Sequence, residues 1–396
     1  MLIKRDFFID QLIKLKDKKV IKVVTGIRRC GKSTLFELYQ KELTKNGIKK
    51  NQIISINLED GEYRNLKTAE DLYEFVNSRL TKKKNYVFLD EIQSVNDFQK
   101  AVDWLFVKKN VDLYITGSNA FLLSGELATL LSGRYIEIKT MPFSFKEYVS
   151  AFPKNKNNTE LFSEYLANSS FPGALEMPDK QSRNAYLDGI FNSIILKDIV
   201  ARQHISNTLM LENIIEYLFD NIGNISSSTN ISNCLNSSGK KISVPTVETY
   251  LDALVKSFII YKTKRYDIKG KQYLSSGYKY YIADIGLRYY LLGNTKSDFG
   301  HVLENVVYLE LVRRGYDVFV GKVGNSEVDF IAKKNQVTKY FQVSQSVLDP
   351  SVLKRELAPL QAIKDHYPKH ILTMDYFPPT SYNGINQLNI VNWLLE

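Results

Sequence analysis

The chain is predicted to open with an α/β domain built on a parallel sheet, and three observations predict it. Gly26-Ile27-Arg28-Arg29-Cys30-Gly31-Lys32-Ser33-Thr34 follows the pattern G-x-x-x-x-G-K-[ST], the P-loop that cradles phosphate. Residues 20–25 before it read as a buried strand, and residues 35–43 after it read as a helix. Farther on, Tyr86-Val87-Phe88-Leu89 runs into two acids, Asp90 and Glu91. An apolar strand ending in carboxylates suits the edge at which open α/β sheets bind their ligands.

Each part of the loop has a chemical reason. Glycines let the backbone curl so that several amides and a helix N-terminus face one anionic group. Gly26, Ile27, Arg28, Arg29, Cys30, Gly31, Lys32, Ser33 and Thr34 are therefore the expected nucleotide-binding residues. Lys32 brings a mobile positive charge to the outer phosphates, and the Ser33 hydroxyl is a Mg²⁺ ligand. Asp90 is the second expected metal residue, and Glu91 is placed to polarise a water against the γ-phosphate. That second acid favours hydrolysis over transfer of the phosphoryl group to a small molecule.

The rest of the domain follows in order. Apolar spacing over 5–16 predicts a helix packed on the sheet. A strand is expected at 53–58 and a helix at 69–80, before the Lys82-Lys83-Lys84 turn. Another helix is expected at 97–109 and another strand at 111–116. Thr116-Gly117-Ser118-Asn119 then puts polar groups beside the acids. Ser118 there suits a γ-phosphate sensor, a cap for the helix expected at 121–131, or both. Arg134, ahead of strand 136–138, is a candidate arginine finger in its own or a neighbouring subunit, or a surface arginine in a turn.

Composition narrows the class. At 396 residues the chain has room for two or three domains, and 44% hydrophobic with 24% charged residues is ordinary for a globular protein. No apolar run reaches the length of a membrane span, and residues 1–10 lack the pattern of a secretory signal. Only Cys30 and Cys234 are present, one of them inside the P-loop, so a reducing cytoplasm is expected. A net charge of +10 permits a polyanionic partner.

The motifs Gly26-Ile27-Arg28-Arg29-Cys30-Gly31-Lys32-Ser33, Leu89-Asp90-Glu91-Ile92-Gln93, Thr116-Gly117-Ser118-Asn119 and Met141-Pro142-Phe143-Ser144-Phe145-Lys146-Glu147-Tyr148 together resemble the AAA-type ATPases of bacteria and archaea that carry a C-terminal domain of unknown function. The likeness continues through Phe171-Pro172-Gly173-Ala174 and Tyr281-Ile282-Ala283-Asp284-Ile285-Gly286-Leu287. It implies ATP as the nucleotide and a five-stranded parallel core of order 5-1-4-3-2.

Beyond residue 150 the expected parts are a helical lid at 151–207, a winged helix at 208–295 and a nuclease-like α/β region at 296–396. Arg183, Lys197 and Arg202 on the lid are candidate phosphate readers, or plain solvated cations. The winged helix rests on helices at 209–219, 231–235 and 244–254, with strands at 258–262 and 279–282 around a basic loop holding Lys264, Arg265, Lys269 and Lys271. Its third helix offers Thr246, Glu248, Thr249 and Tyr250 with no arginine, so a DNA partner, held through phosphates, and a protein partner both stay open.

The last hundred residues look like a PD-(D/E)xK nuclease core, in which Glu304 and Asp329 match. Gln342-Val343-Ser344 replaces the later Glu-x-Lys. An amide cannot supply the carboxylate charge, nor a hydroxyl the ammonium, so no efficient cleavage is expected. The four histidines are scattered, and Thr295-Lys296-Ser297-Asp298 mimics a guanine-reading motif far from the P-loop in the chain. The expectation is a Mg²⁺-dependent ATPase domain at 1–150 that moves the C-terminal half. No membrane is involved, and an oligomer is compatible with the sequence.

Overall fold

The computed structural model describes residues 3–117, 133–153, 155–200, 205, 207–293, 298–376, 378 and 380–396, with backbone alone at 196–198, 275 and 276. The chain divides into two compact units, Met1–Pro142 with Lys256–Phe258 and Phe143–Val255 with Ile259–Glu396.

In the first unit the elements are α1 (Asp6–Leu15), β1 (Ile21–Gly26), α2 (Lys32–Lys45), β2 (Ile53–Asn57), α3 (Ala69–Asn77), β3 (Asn85–Asp90), α4 (Phe98–Val107), β4 (Val111–Gly117) and β5 (Tyr135–Thr140). The strands form one parallel sheet in the order β2-β3-β4-β1-β5, the expected 5-1-4-3-2 read from the other edge. Every residue of β1, β3 and β4 is buried, because helices cover both faces. Side-chain alternation sorts the core. Val23, Val87, Leu89, Leu113 and Ile115 pack with Leu72, Val76 and Leu105 of α3 and α4. Val24, Phe88 and Tyr114 face Phe8, Leu12, Phe36 and Tyr39 of α1 and α2. Lys22, fully buried on β1, is tolerated because its ammonium pairs with the buried carboxylate of Asp112.

The second unit opens with α5 (Phe145–Val149), α6 (Asn158–Asn168), α7 (Lys180–Ser193) and α8 (Thr208–Asp220). It continues with β6 (Ile225–Ser226), α9 (Ser228–Ser237), α10 (Val244–Lys256), β7 (Ile260–Asp267), β8 (Gln272–Ile282) and α11 (Ile285–Leu292). The remainder is α12 (Phe299–Arg313), β9 (Asp317–Val323), β10 (Ser326–Lys334), β11 (Val337–Val343), α13 (Pro350–Gln361), β12 (Lys369–Thr373), β13 (Thr380–Tyr382), β14 (Ile385–Asn389) and α14 (Ile390–Leu395).

All nine strands join one sheet, β13-β14-β12-β11-β10-β9-β7-β8-β6. The stretch expected to be a basic loop is largely strand: β7 buries Thr263 and exposes Lys262 and Lys264, a period of two hidden beneath the charges. Parallel pairing of Arg265–Asp267 with Val320–Lys322 ties this hairpin to β9, so the sheet runs through the boundary expected at 295/296. The pairing of β10 with β9 slips between Val328 and Ile331, a bulge that re-aims Asp329. Among the described residues, no helix is long and apolar enough to cross a membrane.

Candidate nucleotide site

The C-terminal ends of β1, β3 and β4 bring the predicted residues together. Gly26 ends β1 with φ +151°, and a Cβ there would collide with the carbonyl and hydroxyl of Thr140 at the end of β5. Only glycine fits between the two strands. The loop then turns, with the Cys30 amide donating to Ile27 O at 3.2 Å, and Gly31 enters α2 at φ +96°. Cys30 is buried, its sulfur 3.2 Å from the Thr140 hydroxyl, which itself donates to Thr25 O at 2.7 Å. Arg5, also buried, donates to Cys30 O at 3.0 Å and Met141 O at 2.7 Å and lies over the Phe8 ring. The loop is thus braced from behind by β5 and by a guanidinium.

Lys32 opens α2 almost fully buried, its ammonium donating to Gly26 O at 3.1 Å and standing 3.8 Å from Glu91 Oε1. Its remaining contacts among the described residues are long, Ile27 O at 3.5 Å and the Glu91 carboxylate, so the buried cation can turn donors toward an anion. Asp90 ends β3 and accepts from the hydroxyls of Ser33 and Thr116. Its carboxyl lies above the ordinary value, chiefly through burial, against the lowering pull of those two hydroxyls. Ser33 and Asp90 offer a hydroxyl and a carboxylate side by side, hard oxygen donors that fit Mg²⁺.

Glu91 follows in the left-handed region at φ +52°, unusual for a side-chain-bearing residue, and its amide donates to Thr116 Oγ1 at 2.9 Å. Thr116 therefore holds both acids, the carboxylate of Asp90 through its proton and the backbone of Glu91 through its oxygen. Gln93, in the short 3₁₀ turn Ile92–Ser94, donates its amide to Glu91 Oε2. Arg28 stands 3.6 Å from the exposed Glu59.

The other candidates are placed elsewhere or lie beyond description. Arg134 precedes β5 and pairs with Asp103 at 2.5 Å. Since Ile21 sits opposite Tyr135 and Gly26 opposite Thr140, Arg134 is at the far end of the strand from the loop, about 20 Å away at 3.3 Å per residue. The register does not bring it to its own cradle. Ser118 and the helix expected at 121–131 lie outside the described residues, as do Arg202, Thr295, Lys296 and Ser297. The side chain of Lys197 is likewise not described. Arg183 donates to Asn168 Oδ1 at 2.8 Å.

A second cluster of charges lies in the second unit. Glu304 of α12 accepts from Lys279 of β8 at 2.8 Å and from the Tyr281 hydroxyl at 2.6 Å, and Lys279 also reaches Glu327 at 2.6 Å. Asp329 accepts from the Val343 amide at 2.8 Å. Burial, and then Glu304, push its carboxyl well above the ordinary range. Burial alone would lower the Lys279 ammonium, but Glu304, Asp329 and Glu327 together raise it. Gln342 turns its amide to Glu356 at 2.9 Å. Among the described residues, no group of three His, Cys, Asp or Glu side chains is arranged to hold a metal ion.

Parallel order 5-1-4-3-2, a P-loop between β1 and α2, and paired acids at the end of β3 define the first unit as a P-loop NTPase fold of the AAA type. Residues 18–149 match the AAA domain model AAA_14, and residues 159–298 match a domain of unknown function, DUF8612. An uncharacterized protein of Haemophilus influenzae is 42% identical over 402 residues, covering 100% of this chain and 99% of its own length. An uncharacterized protein of Methanocaldococcus jannaschii is 33% identical over 341 residues, 81% of this chain and 73% of that one. A Walker-type ATPase of Pyrococcus abyssi superposes with a TM-score of 0.50 at 17% identity, covering 73% of this chain and 95% of that one. The chain belongs to the family of these AAA-domain proteins.

Proposed function

We propose that the chain binds and hydrolyses ATP and that its nucleotide state moves the C-terminal region. The observation that carries this reading is the unfinished charge balance of the cradle: a buried Lys32 facing Glu91, beside the joined hydroxyl and carboxylate of Ser33 and Asp90. In this reading the loop amides and Lys32 hold the β- and γ-phosphates. Ser33 and Asp90 would hold Mg²⁺, which when bound neutralises phosphate charge. Glu91 takes a proton from the attacking water. We assign 1–150 to this ATPase core, 151–207 to a lid, 208–295 to a winged helix whose hairpin shares its sheet with the following region, and 296–396 to that nuclease-like region, used for binding or assembly. With Arg134 at the far strand end, a finger role for it requires a neighbouring copy.

Turnover of γ-labelled ATP by wild type and Glu91→Gln tests the reading. Removing a general base should slow hydrolysis by about 10²- to 10⁴-fold while mant-ATP still binds. Equal turnover removes Glu91 from this role, and no binding by wild type removes the whole reading. A second reading, a DNA-binding module with ATP as a slow switch, is favoured by the exposed Lys262, Lys264, Lys269 and Lys271 along the hairpin. Filter binding that falls steeply with salt and changes with nucleotide supports it, and no affinity at low salt points to a protein partner instead.

A further inference from the structure

The amide of Gln93 presents a polar atom that the fold leaves unused. A carboxylate only accepts hydrogen bonds, so the contact with Glu91 Oε2 fixes which end of the amide faces it: Nε2 donates, and the carbonyl must point away. That Oε1 is buried and has no hydrogen-bond partner among the described residues. Buried acceptors are almost always paired, so an orphan beside the reacting groups calls for a donor supplied from outside the chain. Meanwhile the other oxygen of Glu91 faces Lys32 at 3.8 Å. The Glu91 carboxylate is thus held between the phosphate-binding lysine and the Gln93 amide. Its backbone is fixed from below by Thr116.

We propose that Gln93 is a positioning residue for hydrolysis: it steadies Glu91, and its free carbonyl accepts the second hydrogen of the attacking water. The inference rests on the ATPase reading above. Water has two hydrogens to direct. One goes to Glu91, which takes the proton, and the other to Gln93 Oε1, leaving an oxygen lone pair aimed at the γ-phosphorus. The new O–P bond forms as the bond from the γ-phosphorus to the bridging oxygen breaks, and that oxygen leaves with its electron pair on ADP. Without the second acceptor the water keeps its base but loses its orientation.

Single-turnover hydrolysis and mant-ATP affinity are measured in wild type, Gln93→Leu, Glu91→Gln and the double variant. Gln93→Leu should slow the chemical step about 10- to 100-fold, as expected for a misaligned nucleophile, with affinity within about threefold of wild type. In the Glu91→Gln background the same change should add little, because Gln93 acts through a water that no longer has its base. Gln93→Glu, which keeps the shape but sets a carboxylate against Glu91, should not restore the rate. Unchanged hydrolysis in Gln93→Leu overturns the proposal, as do full additivity in the double variant and a loss of affinity that accounts for the loss of rate. Failure of wild type to hydrolyse ATP would instead remove the underlying reading.

Discussion

The nucleotide cradle and the acid cluster of the second unit are built from the same materials to opposite ends. Each sets a lysine among buried carboxylates. In the cradle, Lys32 has one good contact among the described residues, Gly26 O at 3.1 Å, with Ile27 O at 3.5 Å and the Glu91 carboxylate at 3.8 Å both long for a hydrogen bond. In the second cluster, Lys279 is paired at hydrogen-bond distance with two carboxylates, Glu304 at 2.8 Å and Glu327 at 2.6 Å. A site that awaits a charged ligand leaves donors in reserve. A cluster that supplies its own counter-charge has little to gain from one, since an incoming cation must displace the resident ammonium. Residues of similar type are thus left open in one unit and closed on one another in the other.

The largest expected break in the comparison is Lys32→Ala. On the ATPase reading it removes charge-assisted contacts to the β- and γ-phosphates, at about 1.5–3 kcal/mol each. Affinity for ATP should therefore fall by about 10²- to 10⁴-fold with little change in the urea midpoint. Lys279→Met reverses the pattern: nucleotide affinity should hold while the second unit loses about 3–5 kcal/mol, the cost of leaving buried carboxylates without their cation. Urea unfolding followed by tyrosine fluorescence reads it. A loss under about 1 kcal/mol would show that the ammonium is dispensable to the balance.

The smallest effect is one of pH. Because Asp329 is raised in the folded chain, the fold retains a proton that the unfolded chain has released above pH about 4. Stability from this group therefore falls as pH rises from there toward the raised value, by at most about 1.4 kcal/mol per pH unit. Asp329→Asn should abolish that part of the decline. An unchanged slope between variant and wild type would mean that the carboxyl is ionised throughout.

Legibility in the sequence followed range. The P-loop and the Asp90-Glu91 pair are readable because each is a short run of adjacent residues, and the structure brings Ser33 to Asp90 and Lys32 toward Glu91. Strand order came with the family likeness carried by those motifs. What could not be read are contacts made between parallel strands: Thr116 meets Asp90 from 26 positions away, and Thr140 meets Cys30 from 110. A polar residue near the end of a buried strand is the signal for Thr116, two places before the Ser118 expected to serve there. Gln93 stands within the Leu89–Gln93 motif, yet the role proposed for it depends on which end of its amide faces Glu91, which no pattern records. Lys279 was missed for a topological reason. The nuclease pattern puts its lysine at position 344, whereas the ammonium among these acids comes from β8, in a hairpin of the same continuous sheet. The strands at 380–389, short and rich in Asn, and the six-residue last helix carry no such pattern.

Mn²⁺ titration followed by electron paramagnetic resonance tests the contrast most directly. The full chain is titrated with and without a non-hydrolysable ATP analogue, alongside Asp90→Asn and Asp329→Asn. The expected result is one site that appears only with nucleotide, disappears in Asp90→Asn and survives in Asp329→Asn. A tight site present without nucleotide and lost in Asp329→Asn would contradict it, and would place working metal chemistry in the second unit.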